Sequence, residues 1–175
     1  MQLNFRQAEA GDLPGAQEAY RQLVQHLMAT INYPQWSADY PTAEDVAHWV
    51  KHGQLHIAAT DQNQIIGVMV LNNDFPDGYN AANWSIEATR DEILVMHALG
   101  VLPELTGHGV AKSLINAALE LAEALGCKTL RLDAYVDNSP ARALYKRCGF
   151  TDLGLHTIHY PDTDLNQFYL FEYVL

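Results

Sequence analysis

The chain has 175 residues, of which 49% are hydrophobic and 18% are charged. This composition excludes a disordered chain and suits one folded domain over residues 1–175. The formal net charge of -11 argues against nucleic acid as a partner. No apolar run reaches the roughly 18 residues that a membrane span needs. The first residues also lack the pattern of a signal peptide, so we expect a cytoplasmic protein.

The charge is unevenly distributed along the chain. Residues 1–105 contain 4 basic and 13 acidic side chains, whereas residues 106–175 contain 6 basic and 8 acidic side chains. All six basic residues of the second segment lie between Lys112 and Arg147. This grouping is typical either of an anion-binding surface or of ordinary charge on exposed helices.

The sequence gives no indication of a metal site. Cys127 and Cys148 are the only cysteines, and no grouping of Cys and His has the spacing of a zinc site. His48 and His52 are four residues apart but lack the adjacent Glu of a metalloprotease helix, so we interpret them as an exposed helix face.

Periodicity predicts the elements of the first half in chain order. They are a strand at 2–8, a helix capped by Asp12 and running to about Met28, a helix from Thr42 to about Gly53, and strands at 55–60, 64–71 and 93–101. Residues 72–91 are polar and contain proline, glycine and several asparagines, which predicts a long loop. Loops longer than about 12–15 residues in compact domains are often functional.

The clearest helix of the chain begins at Val110. Its apolar residues recur at helical spacing at Val110, Leu114, Ala118, Leu121 and Leu125, and Gly126 ends it. The remaining predicted elements are a strand at 129–136, a short helix through Arg147, and strands at 150–158 and 167–174. The order β-α-α-β-β-β-α-β-α-β-β predicts an α/β fold with a mixed sheet.

A glycine-containing loop, Thr106–Ala111, leads from the strand at 93–101 into this helix. The first N–H groups of a helix have no acceptor within it, and the macrodipole adds positive potential, so this end suits an anion. Lys112 opposes the dipole in the first turn, and a bound phosphate would remove that conflict. Taken by themselves, Gly107 and Gly109 are explained equally well by an ordinary tight turn before the helix. The spacing is neither a dinucleotide fingerprint nor a P-loop.

The loop resembles the central motif of the GCN5-related N-acetyltransferase (GNAT) superfamily. That motif reads Arg/Gln-x-x-Gly-x-Gly/Ala and follows a strand that ends Val-x-Pro. Val101 and Pro103 match the end of the strand, and Gly109 and Ala111 match the small residues. Thr106 stands where the family has Arg or Gln, so we expect its backbone N–H to contribute instead of a side chain.

Residues 130–150 resemble the second signature of the same superfamily, which reads strand–Asn–x–x–Ala–x–x–Leu-Tyr–x–x–x–Gly-Phe. Every key position is filled. The resemblance implies a single GNAT domain with a splayed central sheet and acetyl-CoA as cofactor. The residues that it implies for cofactor binding are Leu99, Val101, Thr106, Gly107, His108, Gly109, Val110, Ala111, Lys112, Asn138 and Arg142.

Aminolysis of a thioester expels a thiolate, which benefits from a nearby proton donor. The resemblance assigns this role to Tyr145. The alternative is that Tyr145 only packs in the core. The attacking amine must also lose a proton, and His97, which interrupts an apolar strand, is the expected base. A structural role for this histidine stays open, and Glu92 and Asp133 are alternative bases.

In the resembled fold the acceptor site lies near Trp36, Tyr40 and Trp84, which either line a pocket or pack in the core. The acidic first half favours a cationic acceptor. We therefore expect direct acetyl transfer to a primary amine of a small molecule, polyamine or peptide N-terminus, without a membrane or nucleic acid partner. A non-catalytic acyl-CoA-binding sensor is the alternative, and the C-terminal strands allow a homodimer.

Overall fold

The structure, a computed structural model, describes residues 2–175. These residues form the strands β1 (Leu3–Gln7), β2 (Leu55–Thr60), β3 (Ile65–Asn72), β4 (Ile93–Val101), β5 (Thr129–Tyr135), β6 (Thr151–Thr157) and β7 (Gln167–Val174), and the α-helices α1 (Leu13–Ala29), α2 (Ala43–Lys51), α3 (Val110–Ala124) and α4 (Ser139–Arg147). The strand order in the sheet is β1-β2-β3-β4-β5-β7-β6. The predicted element order and the α/β class with a mixed sheet are confirmed.

Two compact units can be distinguished in the chain. The first contains the described residues up to Leu71 together with His97–Ala117, and the second contains Asn72–Met96 and Ala118–Leu175. The single domain expected over residues 1–175 stays a prediction. Within residues 2–175, no helix combines the length and the apolar character that crossing a bilayer requires.

In the first unit, Asp12 precedes α1 as predicted but does not cap it with its side chain. Its carboxylate instead accepts hydrogen bonds from the Arg6 guanidinium at 2.6 and 2.9 Å and from the Glu9 N–H at 2.8 Å. The guanidinium is the stronger partner for a carboxylate, and it lowers the pKa of Asp12. Asp12 therefore closes a short turn before α1 and ties it to β1.

The start of α2 follows the sequence prediction more closely. The Thr42 hydroxyl accepts the N–H of Asp45 at 3.1 Å, and the Asp45 carboxylate accepts the N–H of Thr42 at 2.8 Å. This reciprocal capping box satisfies two backbone donors that the helix itself leaves unpaired.

Two glycines let helices approach the sheet closely in the first unit. A Cβ on Gly67 of β3 would lie 2.8 Å from Leu114 and 3.2 Å from Val110, both on α3. A Cβ on Gly100 of β4 would lie 2.6 Å from Leu23 of α1. The missing side chains thus set the position of the first turn of α3, and with it the end of the glycine loop.

In the second unit, β5 pairs with β7 in antiparallel register over its whole length. The parallel ladder of β4 on β5 comprises Ile93, Leu94 and Val95, paired with Thr129, Leu130 and Arg131. One face of these strands carries an apolar cluster of Tyr79, Ile93, Val95, Ile158, Phe168 and Leu170.

The long loop at residues 72–91 contains a short 3-10 helix at Asp77–Ala81 and is anchored to the strands by a buried ion pair. Arg131 of β5 and Glu172 of β7 meet at 3.2 Å, and their side chains are only 6% and 0% exposed. The same carboxylate accepts the Ser85 N–H at 2.7 Å, and the guanidinium donates to the Ile86 carbonyl at 3.1 Å. Both partners of the pair therefore also hold the loop.

Replacing Arg131 with Leu should lower the free energy of unfolding by about 3–5 kcal/mol, because Glu172 would be left as a buried, unpaired charge. Urea denaturation followed by circular dichroism measures this loss. Lys128→Met is the matched control, since it breaks the Lys128–Glu92 pair, whose side chains are 53% and 30% exposed. The control should cost about 0–1 kcal/mol, and equal losses in the two variants would contradict the anchoring role.

Candidate active site

The glycine loop adopts the conformation that its sequence requires. Gly107 and Gly109 have φ values of 83° and 82°, in the left-handed region that favours glycine. A Cβ on either residue would meet no atom within 4 Å, so the backbone conformation and not the available space demands glycine here. Residues 106–109 are exposed, so this backbone is accessible to an anion.

Two backbone donors of the loop are already used within it. The N–H of Thr106 donates to the Pro103 carbonyl at 3.2 Å, because a 3-10 turn at Pro103–Leu105 ends there. The N–H of His108 donates to the Leu105 carbonyl at 3.2 Å. The N–H of Thr106 is therefore already bonded within the loop, and its expected contact with an anion, like that of the first turn of α3, stays a prediction.

Strand β4 changes direction just after His97. Ala98 has a φ of 49°, a conformation that side-chain-bearing residues rarely adopt. The buried Tyr20 of α1 donates its hydroxyl to the Ala98 carbonyl at 2.7 Å and so supports this bend. The predicted contacts Leu99 and Val101 follow the bend and are half-buried. This role of Tyr20 was not predicted, because the residue has no signal in the sequence beyond its place on an apolar helix face.

The structure brings Trp36 and Tyr40 together in the first unit, with ring centroids 6.5 Å apart. Trp36 also packs on Tyr20 at 6.0 Å, and Tyr40 packs on Trp49 at 6.2 Å. All of these rings except Tyr20 are half-buried. This arrangement is compatible with both predicted roles, a pocket wall and core packing.

Trp84 lies in the second unit and is held by groups of the chain itself. Its indole N–H donates to the Tyr79 carbonyl at 2.7 Å, and the Arg131 guanidinium lies over its ring at 4.1 Å. One ring face therefore already binds a cation, which gives Trp84 a structural role in the long loop. Its predicted contact with the acceptor stays a prediction.

Helix α4 positions three polar residues, two of which, Asn138 and Arg142, are predicted to bind the cofactor. Asn138 accepts the Ala141 N–H at 3.4 Å and so caps the helix. The Arg142 guanidinium lies over the Tyr169 ring at 3.4 Å, while its Nε atom is buried without a hydrogen-bond partner among the described residues. Further along the same helix, Lys146 pairs with Asp152 at 3.0 Å. Arg142 and Lys146 thus both contact side chains of the second unit.

Tyr145 is 7% exposed and packs between Phe171 and Phe150, at centroid distances of 5.4 and 6.0 Å. Burial raises the pKa of its hydroxyl, and the nearby charge of Asp133 adds to this effect. The phenol therefore stays protonated at neutral pH, as a proton donor must.

Asp133 of β5 accepts hydrogen bonds from two tyrosine hydroxyls that sequence analysis did not single out. Tyr79 donates to Oδ2 at 2.8 Å, and Tyr160 makes a short hydrogen bond to the same atom. Tyr79 belongs to the long loop and Tyr160 to the connection between β6 and β7. The only signal in the sequence was strand alternation, which places Asp133 on the same face of β5 as Arg131.

The other candidate bases differ in their surroundings. Glu92 accepts hydrogen bonds from the Thr89 N–H at 2.9 Å and pairs with Lys128 at 2.8 Å. The lysine is the largest cause of the lowered pKa of Glu92, which makes this carboxylate a weak base. His97 is half-buried in the first unit, and its role as base stays a prediction. Within residues 2–175, no group of three or more potential ligands is placed to hold a metal ion.

The model of the acetyltransferase (GNAT) family matches residues 21–150. An uncharacterized N-acetyltransferase of Methanocaldococcus jannaschii is 34% identical over 46% of this chain and 36% of its own length. A mycothiol acetyltransferase of Pseudarthrobacter chlorophenolicus is 35% identical over 38% of this chain and 20% of its own length. A [ribosomal protein bS18]-alanine N-acetyltransferase of Haemophilus ducreyi is 29% identical over 56% of this chain and 68% of its own length. The matched part of the chain thus spans about a third or less of the length of the first two relatives.

Solved structures resemble the chain over nearly its whole length. A GNAT-family acetyltransferase of Streptococcus agalactiae has a TM-score of 0.74 at 14% identity and covers 99% of this chain and 95% of its own. A Salmonella typhimurium protein with its cofactor acetyl-CoA has a TM-score of 0.71 at 15% identity and covers 100% of this chain and 95% of its own. An Arabidopsis thaliana protein in complex with acetyl-CoA has a TM-score of 0.69 at 20% identity and covers 99% of this chain and 100% of its own. At these identities the likeness shows the fold.

Gly109→Ala should lower the free energy of unfolding by about 1–2 kcal/mol, the cost of a left-handed conformation in a residue with a side chain. Gly11→Ala is the matched control, because a Cβ there also meets no atom within 4 Å and Gly11 lacks a positive φ. The control should be neutral or slightly stabilising. Urea denaturation compares the two variants, and an equal effect would show that the loop does not require this conformation.

Proposed function

The chain belongs to the acetyltransferase (GNAT) family, and on this premise we propose that it transfers an acetyl group from acetyl-CoA to a primary amine. The observation that carries the proposal is the glycine loop, whose two left-handed glycines expose the backbone at the start of a helix. The acetyl-CoA in two of the similar structures supports the choice of acyl donor.

In the proposed reaction, the amine nitrogen attacks the thioester carbonyl carbon while both substrates are bound. A carbon–nitrogen bond forms, the carbon–sulfur bond breaks, and CoA leaves as a thiolate. Tyr145 gives its hydroxyl proton to the thiolate, and His97 takes the proton that the amine loses. Solvent then exchanges protons with both side chains and restores them. The protonated, buried state of Tyr145 supports its part in this scheme.

The pyrophosphate of the donor would contact the loop at Gly107, Gly109 and the N–H groups of Val110, Ala111 and Lys112. The pantetheine arm would follow the backbone of Leu99 and Val101. Thr106 and His108 would shape the loop, since their N–H groups are bonded within it. The remaining proposed contacts are Asn138 and Arg142, and the buried, unpaired Nε atom of Arg142 supports the second of these.

On the acceptor side we propose Trp36, Tyr40 and Trp84 as neighbours of a small-molecule, polyamine or peptide amine. Relatives named for mycothiol and for a ribosomal-protein alanine support an amine acceptor in general. Neither cysteine forms a disulfide bond, which fits the reducing cytoplasm that we propose as the location. A homodimer stays a prediction, as does the lack of nucleic acid and membrane partners.

Isothermal titration should detect acetyl-CoA binding, and Gly109→Ala should weaken it because the loop backbone is shifted or strained. Thiol release in the presence of a panel of amines then measures turnover. Absence of binding at millimolar acetyl-CoA would contradict the proposal. Binding without turnover for any amine would favour a non-catalytic acyl-CoA sensor, which the unusual Thr106 supports.

Tyr145→Phe should lower turnover by about 10²–10⁴-fold, the usual contribution of a general acid, while the affinity for acetyl-CoA changes little. Tyr173→Phe is the matched control, since Tyr173 also packs on Phe150, at 5.5 Å. Steady-state thiol release gives the turnover of both variants. Unchanged turnover in Tyr145→Phe would remove Tyr145 from the reaction.

A further inference from the structure

The hydroxyl group of Tyr20 takes no part in the proposed reaction, although it contacts the strand that the donor would follow. It donates a hydrogen bond of 2.7 Å to the Ala98 carbonyl of β4. Tyr20 is only 1% exposed, and burial raises the pKa of its hydroxyl, so the group stays protonated at neutral pH and acts as a donor. A buried hydroxyl is unfavourable unless it is hydrogen-bonded. The bond therefore holds the Ala98 carbonyl towards α1.

The carbonyl that Tyr20 holds belongs to a backbone conformation that needs support. Ala98 has a φ of 49°, which is unfavourable for a residue with a Cβ atom. Such conformations persist only where the surrounding structure holds them, and they are concentrated at functional sites. The Tyr20 hydroxyl is a direct support for this one.

The same hydrogen bond determines the direction of the next N–H group. Ala98 and Leu99 are joined by a trans peptide, and in a planar trans peptide the carbonyl and the N–H point in opposite directions. Because the Ala98 carbonyl is turned towards α1, the N–H of Leu99 is turned away from this helix. Leu99 is the first of the two residues whose backbone the pantetheine arm is proposed to follow. Tyr20 thus sets the direction of a proposed donor contact.

The ring of Tyr20 is itself held on two sides. It packs on Trp36 at a centroid distance of 6.0 Å and on Trp49 at 5.8 Å. Since the two indoles leave a fully buried ring little freedom, the hydroxyl has a fixed position from which to orient the peptide.

Further contacts hold the strand beyond Leu99. A Cβ on Gly100 would lie 2.6 Å from Leu23, one turn further along α1 than Tyr20. The N–H of Leu102 donates to the Ile66 carbonyl of β3 at 2.9 Å. The far end of the segment is therefore fixed by packing and by the sheet, and the Tyr20 hydroxyl is the contact that orients its near end.

We propose that Tyr20 is a positioning residue for acetyl-CoA, and that its hydroxyl turns the Ala98–Leu99 peptide so that the Leu99 N–H is presented to the pantetheine arm. This inference rests on the proposed function for the identity of the donor. Because Tyr20 acts through the strand, its loss changes the affinity for the donor more than the rate of the chemical step.

Tyr20→Phe tests the inference, since it keeps the ring and removes only the hydroxyl. Isothermal titration should show a Kd for acetyl-CoA that is higher by about 3–10-fold, the effect of one neutral hydrogen bond. The KM for acetyl-CoA should rise in parallel, with a smaller change in kcat. Unchanged affinity for acetyl-CoA in Tyr20→Phe would overturn the inference.

Tyr79→Phe is the matched control. Tyr79 is also 1% exposed, and its hydroxyl donates a hydrogen bond of 2.8 Å to Asp133 in the second unit. Both variants should lower the urea concentration at the midpoint of unfolding, because each loses one hydrogen bond of a buried hydroxyl. Only Tyr20→Phe should weaken the binding of acetyl-CoA. Equal weakening in the two variants would show a general effect of stability and would overturn the inference.

S-Acetylpantetheine, which lacks the nucleotide and the pyrophosphate, separates the two parts of the proposed donor site. Tyr20→Phe should raise the Kd for this compound and for acetyl-CoA by the same factor, as measured by NMR titration. Gly109→Ala should raise the Kd for acetyl-CoA alone, because the glycine loop is proposed to contact the pyrophosphate. An effect of Tyr20→Phe on acetyl-CoA alone would place its influence at the loop and overturn the inference.

A second substitution tests whether the hydroxyl acts through the bend. Glycine adopts a positive φ without steric cost, so adding Ala98→Gly to Tyr20→Phe should restore part of the affinity for acetyl-CoA, and no recovery would contradict the inference. If Tyr20→Phe does not fold, Ala98→Val decides the question. It keeps the hydroxyl but opposes the positive φ, so it should weaken the binding of both donors, and unchanged binding would overturn the inference.

The orientation of the peptide is measured separately from the reaction by backbone amide NMR without ligand. The Leu99 signal should shift in Tyr20→Phe and not in Tyr79→Phe, and an unshifted signal in Tyr20→Phe would overturn the inference. If the two variants differ as expected in their affinity for acetyl-CoA but no amine is acetylated by the wild type, only the proposed acetyl transfer fails. The positioning role of Tyr20 is then still supported.

Discussion

The buried ion pair between Arg131 and Glu172 is the constraint on which the second unit depends. Removing two charges from water is costly, and the attraction between them offsets this cost only when further hydrogen bonds satisfy the remaining atoms. Here those bonds come largely from the long loop, through the Ser85 N–H and the Ile86 carbonyl. The hydrogen bonds that the ion pair requires thus hold the loop in place, and the loop in turn positions Tyr79 beside Asp133.

In the first unit, steric contacts position the helices α1 and α3 against the strands. Gly67 and Gly100 let α3 and α1 approach the strands, and the Tyr20 hydroxyl holds the Ala98 carbonyl at the bend of β4. The proposed donor contacts at Leu99, Val101 and the first turn of α3 all follow from these approaches. A helix start that is held by close packing can present its unpaired N–H groups to an anion without a further ordering cost.

The sequence predicted every α-helix and strand because each has a local signal, such as the apolar periodicity of α3 or the capping pair Thr42 and Asp45. It could not predict bonds between distant residues. Asp133 lies 54 residues from Tyr79 and 27 residues from Tyr160, and no local pattern links them. The role of Asp12 was missed although Arg6 is only six residues away, because Arg6 lies on β1 and competes with helix capping.

Asp133 and Glu172 show how the same functional group is held in different ways on neighbouring strands. Glu172 is fully buried, and the cationic Arg131 neutralises it, so it can act only within the fold. Asp133 is half-buried and accepts hydrogen bonds from the hydroxyl groups of Tyr79 and Tyr160. Each carboxylate therefore ties its strand to the long loop at residues 72–91, Glu172 through the Ser85 N–H and Asp133 through the Tyr79 hydroxyl.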